Sequence, residues 1–187
     1  MKWNNPMATV GLMVLSLFVS ATAFANTRAE IDTGVSQAVN QFYALNAKNQ
    51  GVAEKAAGVL IFPSITKGGV GIAGEYGEGV LQVKGKTVGY YNIGAASIGL
   101  TLGIANRSEI IMFMTQESLD KFTKSDGWKV GVDAGIAIMS TGAGGQYDTK
   151  TLQKPILGFV FGEKGLIGDL SFEGSKITKM DMNLSKN

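Results

Sequence analysis

The sequence contains no cysteine and no histidine among its 187 residues. Without cysteine the chain can form no disulfide and cannot carry the lipid anchor of a bacterial lipoprotein. The absence of both residue types excludes Ser-His-Asp and Cys-His catalytic arrangements and the usual zinc ligand sets. A folded domain must therefore be stabilised by its apolar core.

Charge is also scarce and nearly balanced. Seventeen lysines and arginines face 15 aspartates and glutamates, for a formal net charge of +2. Proteins that bind nucleic acids usually carry long basic stripes that neutralise phosphates, and no such stripe is present. We therefore expect no nucleic-acid partner, whereas a local basic patch that faces lipid stays compatible with this balance.

Residues 1–25 have the pattern of a secretory signal peptide. Lys2 precedes an apolar run from Met7 to Val19, and Ala23-Phe24-Ala25 is an A-x-A cleavage site. The run is shorter than the about 20 residues that a membrane-spanning helix needs. We expect cleavage before Asn26, export to the periplasm with or without peripheral membrane attachment, and one mature domain over residues 26–187.

Three helices are predicted. In 28–46 the apolar residues recur mostly at steps of three and four, which is typical of an amphipathic helix. We expect this helix to pack on the core, with insertion of Ile31, Val35, Val39 and Phe42 into a membrane as the alternative. Shorter helices are expected at 52–57 and 116–124.

The chain after Gly58 has the spacing of a β protein. We expect the first strand to end at Pro63, and we expect hairpin tips at residues 84–86 and 163–165. The fold class is mainly β with an N-terminal helix (α+β), as an antiparallel β-barrel or sandwich with flanking helices. The predicted strands are 59–62, 69–76, 78–83, 86–92, 95–103, 108–114, 129–138, 155–162, 165–173 and 175–182.

A glycine-rich segment, residues 67–84, remains apolar between its glycines. Flexible linkers carry serine and charge instead, so this segment predicts tight corners, bulges or close approach of two backbones. At Gly71 and Gly74 we expect such packing or a positive φ. The G-x-G-x-x-G match at 69–74 lacks the following helix and acidic residue of a dinucleotide site.

No other motif points to catalysis. Ser64-Ile-Thr-Lys67 lacks the helix and the K-T-G partner of serine acyltransferases, and the acids Glu75, Glu78, Asp120, Asp126 and Asp133 form no calcium loop. We interpret these acids as solvated, and a hydrolase with paired carboxylates is disfavoured. The protein is expected to be non-enzymatic, with no cofactor and no metal.

The ordered motifs resemble the SYLF domain over residues 30–182. The resemblance implies lipid binding; eukaryotic members bind phosphoinositides and some fungal members bind actin filaments, whereas bacterial members are exported. The motifs are 57–63, 67–71, 74–79, 92–99, 110–113 with Leu119 and Phe122, and 165–174.

We therefore expect the protein to bind anionic phospholipid head groups at a membrane surface, with protein partners left open. One alternative is a periplasmic protein that holds acyl chains in an apolar cavity, and a less favoured one is a small outer-membrane β-barrel. The candidate head-group residues lie at predicted turns and strand ends: Lys67, Lys84, Lys86, Arg107, Lys124 and Lys129.

Overall fold

The computed structural model describes residues 26–130, 135–140, 149–165 and 174–182. The predicted signal peptide and most of the predicted strand 165–173 lie outside these residues. The helices are α1 (Arg28–Leu45), α2 (Lys48–Ala53), α3 (Gln116–Lys124) and α4 (Thr149–Leu152), and the strands are β1 (Gly58–Val83), β2 (Lys86–Phe113), β3 (Trp128–Lys129), β4 (Ala137–Ser140), β5 (Ile156–Gly165) and β6 (Lys176–Met180).

The strands form one sheet that curls into a half-barrel. The order is β3-β6-β2-β5-β4, and β1 pairs with β2. The described pairs are antiparallel except β4 and β5, which are parallel. The mainly β class with an N-terminal helix is therefore confirmed.

The long hairpin of β1 and β2 dominates the sheet. Its two-residue turn places Lys84 at φ 50° and Gly85 at φ 72°, which matches the right-handed twist of the flanking strands and confirms the predicted tip. The predicted end of the first strand at Pro63 is wrong. The register shifts between Phe62 and Ile65, and at such a bulge proline is tolerated within a strand.

Helix α1 begins at a capping box. The Thr27 hydroxyl accepts from the backbone N–H of Glu30, and the Glu30 carboxylate accepts from the backbone N–H of Thr27 at 2.7 Å. One face of the helix is buried against the sheet, which confirms the predicted core packing. The buried residues are Ile31, Val35, Ala38 and Phe42.

The second helix lies earlier than the predicted 52–57. Asn46 Oδ1 accepts from the backbone N–H of Lys48 at 3.0 Å, and this short-range bond allows α2 to begin at Lys48, soon after α1 ends. Asn49 Nδ2 donates to the carbonyl oxygen of Phe42 at 2.6 Å and satisfies the end of α1. The Asn49 side chain thus connects α2 to the end of α1.

A second core lies on the other side of the sheet, where α3 packs. Phe113 stacks on Phe122 with ring centroids 4.8 Å apart, and Trp128 meets Phe122 edge-on at 5.5 Å. Helix α3 has the predicted bounds, because the Thr115 side chain caps its start.

The predicted strands 59–62, 69–76 and 78–83 are one continuous strand, β1, and the predicted strands 86–92, 95–103 and 108–114 are one continuous strand, β2. Three further predicted β features differ from the structure. The predicted strand 129–138 is divided into β3 and β4, and residues 131–134 are outside the described part of the chain. The predicted tip at 163–165 is wrong, because Lys164 and Gly165 still pair with Asn106 and Ala105. The last strand is shorter than 175–182 and ends at Met180.

Candidate functional site

A cavity of about 410 Å³ lies between α1, α2 and the hairpin. Helix α1 contributes the partly buried side chains of Val39 and Tyr43, and α2 contributes Ala53. Small alanines leave space that larger side chains would fill. The apolar lining residues are Val39, Phe42, Tyr43, Ala53, Ala56, Val59, Ile61, Ile110 and Met112.

Polar groups stand at the edge of this cavity. Lys84 and Gly85 of the hairpin turn, Gln82 and Glu54 complete its lining, and both Lys84 and Glu54 are exposed to solvent. Glu54 Oε1 accepts a hydrogen bond from Gln50 Nε2 at 3.0 Å. Burial, with a smaller effect from the Glu54 charge, raises the pKa of the Tyr43 phenol. The arrangement is therefore an apolar space with one cation and one anion at its mouth.

Five of the six predicted head-group residues are spread over the hairpin, α3 and β3. Lys84 lies in the hairpin turn and lines the cavity, Lys86 begins β2 directly after the turn, and both are exposed. Lys67 pairs with Ala105 far along the same hairpin. Lys124 ends α3, and Lys129 lies in β3. The predicted residues therefore do not form a single cluster around one turn.

The prediction for Arg107 is wrong, because this side chain is buried in an ion-pair cluster. Its Nε donates to Glu109 at 2.6 Å and its Nη2 donates to Glu75 at 2.8 Å. Burial alone would lower the pKa of Arg107, but the two carboxylates outweigh it and the net pKa is raised. Arg107 thus stabilises the fold and cannot reach a lipid head group.

The interpretation of the acids as solvated is wrong for Glu75 and Glu78, whereas Asp126 is exposed and Asp133 lies outside the described residues. The Glu75 side chain is 6% exposed and Glu78 is 3% exposed. Ser175 donates to the other oxygen of Glu75 at 2.7 Å. Burial raises the pKa of Glu109 to about 7 although Arg107 opposes this, and Glu109 Oε2 has no hydrogen-bond partner among the described residues.

A second exposed feature lies at the bend of the hairpin, where register shifts between Val70 and Ile72. Val70, Ile72 and Ile104 are 79%, 66% and 68% exposed, respectively, which is unusual for large apolar side chains. We call these three residues the apolar corner. One leg of the hairpin, residues 72–83, separates the apolar corner from the turn at the cavity.

Glycine makes this bend possible, but Gly74, one of the two predicted positions, is not among the glycines that do so. A Cβ on Gly69 would collide with the carbonyl oxygen of Ile72, and a Cβ on Gly79 would collide with that of Ile61. A Cβ on Gly74 would meet nothing within 4 Å, and Gly74 has no positive φ, so the expectation for Gly74 is wrong. The surroundings of Gly71 lie outside what the structure describes. The predicted close approach of two backbones is therefore found at Gly69 and Gly79.

Over 26–130 and the three later segments, no cluster of three or more acidic side chains is arranged to hold a metal ion. None of the helices in that same part of the chain is long and apolar enough to cross a membrane.

The sequence indicated an apolar cavity only as an alternative and did not locate it, because its walls come from helices and strands far apart in the chain. The Arg107–Glu109 pair did have a signal, since residues two apart in a strand lie on the same face.

Part of the chain matches a known protein family. The family model described as Ysc84: Las17-binding protein actin regulator matches residues 94–184, from within β2 to beyond β6. A comparison with curated proteins gives no match. The family is linked to lipid binding and to actin regulation. This match over residues 94–184 supports the SYLF domain family for the chain.

Proposed function

We propose that this protein binds anionic phospholipid at a membrane surface and is not an enzyme. The cavity beneath α1 and α2 holds apolar parts of the lipid, and Lys84 and Lys86 face its phosphate. The observation that carries this proposal is the apolar cavity with a lysine at its edge. The link of the family to lipid binding supports the same class of ligand.

The dimensions and lining of the cavity suit an amphiphile. Its volume of about 410 Å³ lies within the roughly 300–1,000 Å³ of small-molecule sites, which are mainly apolar with a few polar groups that fix orientation. Acyl carbons gain free energy when they leave water for such a lining. An anionic phosphate gains from a nearby ammonium group, which favours Lys84 over Glu54 as its neighbour.

The electrostatic contribution is modest and depends on salt. Each cation near an anionic membrane contributes about 1 kcal/mol. Lys84 and Lys86 together therefore strengthen binding by about 2 kcal/mol, or about thirtyfold, and buried Arg107 adds nothing. At physiological ionic strength the reach of exposed charges falls to about 8 Å.

The apolar corner is the candidate for direct contact with the bilayer. Exposed apolar patches mark binding surfaces, and its three side chains are each at least 66% exposed. Lys67, on the same bend of β1, precedes the corner in the chain. Insertion of this corner would anchor the domain to a surface, whereas the cavity would select the lipid.

Vesicle flotation tests the proposal. Wild-type protein should float with vesicles rich in anionic phospholipid and not with neutral vesicles. The double variant Lys84→Glu/Lys86→Glu should lose at least about tenfold in apparent affinity. The control Lys154→Glu/Lys179→Glu makes the same change in charge at two exposed lysines elsewhere and should float like wild type. An equal loss of flotation in the two double variants would show that binding depends only on the net charge of the protein and would contradict a site at Lys84 and Lys86.

We also propose that residues 1–25 direct export to the periplasm and are removed. The support is the A-x-A site before Asn26. Cell fractionation followed by the intact mass of the purified protein tests this proposal, and an uncleaved chain in the cytoplasm would contradict it.

A further inference from the structure

We infer that Glu78 is a binding site for the chain's own α-ammonium group, which is created when the chain is cut between Ala25 and Asn26. The inference rests on the proposed cleavage and is independent of lipid binding. It makes removal of the leader a step that stabilises the folded domain.

The contacts around Glu78 already converge on Asn26. The main-chain nitrogen of Asn26 lies 3.0 Å from Glu78 Oε2, and the Asn26 side-chain Nδ2 donates to the same oxygen at 2.8 Å. Tyr76 donates its hydroxyl to Glu78 Oε1 at 2.8 Å. The carboxylate is thus held from both sides, and one oxygen is directed at the first residue of the expected mature chain.

Before cleavage, the contacts of Glu78 within the described part of the chain include no positive charge. Glu78 is 3% exposed, and a buried carboxylate is costly unless a positive charge accompanies it. In the uncleaved chain, the Asn26 amide, the Asn26 carboxamide and the Tyr76 phenol are all neutral donors. Burial and then the hydrogen bond to Glu78 raise the pKa of Tyr76 to about 12, so the phenol keeps its proton.

Cleavage supplies the missing charge. A signal peptidase adds water across the Ala25–Asn26 amide, so that Ala25 leaves with a carboxylate and Asn26 keeps an amine. Since α-amino groups have pKa values of about 8, this amine takes up a proton and is an ammonium group at neutral pH. Its nitrogen is the atom already placed beside Glu78 Oε2.

The start of α1 does not provide another partner for that ammonium. A helix N-terminus repels cations, and the nearest acid of the helix, Glu30, is occupied with the backbone N–H of Thr27 at 2.7 Å and its hydroxyl at 2.8 Å. Glu78 therefore offsets the repulsion and connects the new terminus to β1, 52 residues away.

An inserted glycine tests the inference. One glycine placed between Ala25 and Asn26 keeps the A-x-A site but moves the ammonium by one residue, about 3.8 Å. The exported proteins, each with its first residue verified by intact mass, are compared by melting temperature. The insertion should lower the Tm by roughly 3–10 °C in the wild-type background and by less than about 2 °C in Glu78→Gln. In the control Glu30→Gln, the insertion should keep its full effect.

A second measurement does not depend on stability. The α-amine of Asn26 should react with an amine-labelling reagent on the order of threefold to tenfold faster in Glu78→Gln than in wild type, because pairing with Glu78 keeps it protonated. Equal labelling rates, or an equal effect of the insertion in both backgrounds, would overturn the inference. A first residue other than Asn26 would overturn the proposed cleavage and the inference together, whereas loss of lipid binding alone would affect neither.

Discussion

Arg107 and Glu109 lie two residues apart on β2 and form a buried ion pair, with 2.6 Å between Arg107 Nε and Glu109 Oε1. The same guanidinium reaches Glu75 on β1, so one side chain neutralises two carboxylates inside the hairpin. Because desolvated charges are costly when they lose a partner, this cluster should be sensitive to single substitutions.

We expect Arg107→Met to destabilise the protein by about 3 kcal/mol, because Glu75 and Glu109 would remain buried without their cation. Urea unfolding of purified protein measures this change. Lys86→Met, which removes an exposed cation on the same strand, should change the free energy of unfolding by less than about 0.5 kcal/mol. Similar values for the two variants would show that the cluster contributes little.

Glu109 should make stability depend on pH. Burial, with a smaller effect from Glu75, raises its pKa from 4.5 to about 7, so the folded state holds the proton more tightly than the unfolded chain. Tighter binding of this proton stabilises the folded state, and that contribution is fully present below pH 4.5 and is lost as the pH rises through about 7. Stability should therefore fall by on the order of 1–3 kcal/mol across this range. In Glu109→Gln that component of the pH dependence should be missing.

The glycine positions make a matched test of the hairpin bend. Gly79→Ala would push a methyl group against the backbone of Ile61 and should cost about 1–3 kcal/mol. Gly74→Ala meets nothing within 4 Å, and it should be neutral or slightly stabilising because it reduces the entropy of the unfolded chain. Thermal unfolding of the two variants gives the comparison, and equal melting temperatures would contradict the packing at Gly79.

The apolar corner should affect membrane attachment and not stability. Val70→Asn with Ile72→Asn changes side chains that are 79% and 66% exposed, so the melting temperature should remain within about 2 °C of wild type. Flotation with anionic vesicles should weaken, because the variant loses apolar area that the bilayer would cover. Val88→Asn, at a less exposed valine away from the bend, serves as the control for flotation. Unchanged flotation of the double variant would exclude the corner as an anchor.

Local signals predicted the elements that local interactions determine. Helix α3 and the turn at Lys84 and Gly85 follow from a capping threonine and a glycine with positive φ. Pro63 and residues 163–165 were misjudged because pairing with β2, distant in sequence, continues through both places. One of these long-range partners is Ser108, whose hydroxyl donates a hydrogen bond to the carbonyl oxygen of Pro63 at 2.8 Å.

The candidate site was harder to predict than the fold. Lysines at a turn are visible in a sequence, but burial of a cation such as Arg107 depends on Glu75, which is 32 residues away. The cavity requires α1, α2 and the hairpin to be placed together, and no segment by itself indicates this space. For these reasons the sequence predicted lipid-facing cations, and an apolar cavity only as an alternative, but it did not place that cavity beside Lys84.

Photocrosslinking with an anionic phospholipid that carries a photoreactive group on its acyl chain tests the proposed lipid site most directly. After irradiation of protein-bound lipid, peptide mass spectrometry locates the modified residues. We expect labels on the cavity lining at Val39, Tyr43 and Val59, and a strong reduction in Ala53→Trp, where the larger side chain fills the space. Labels confined to Val70, Ile72 and Ile104, and unaffected by Ala53→Trp, would contradict the cavity as the site that holds the lipid.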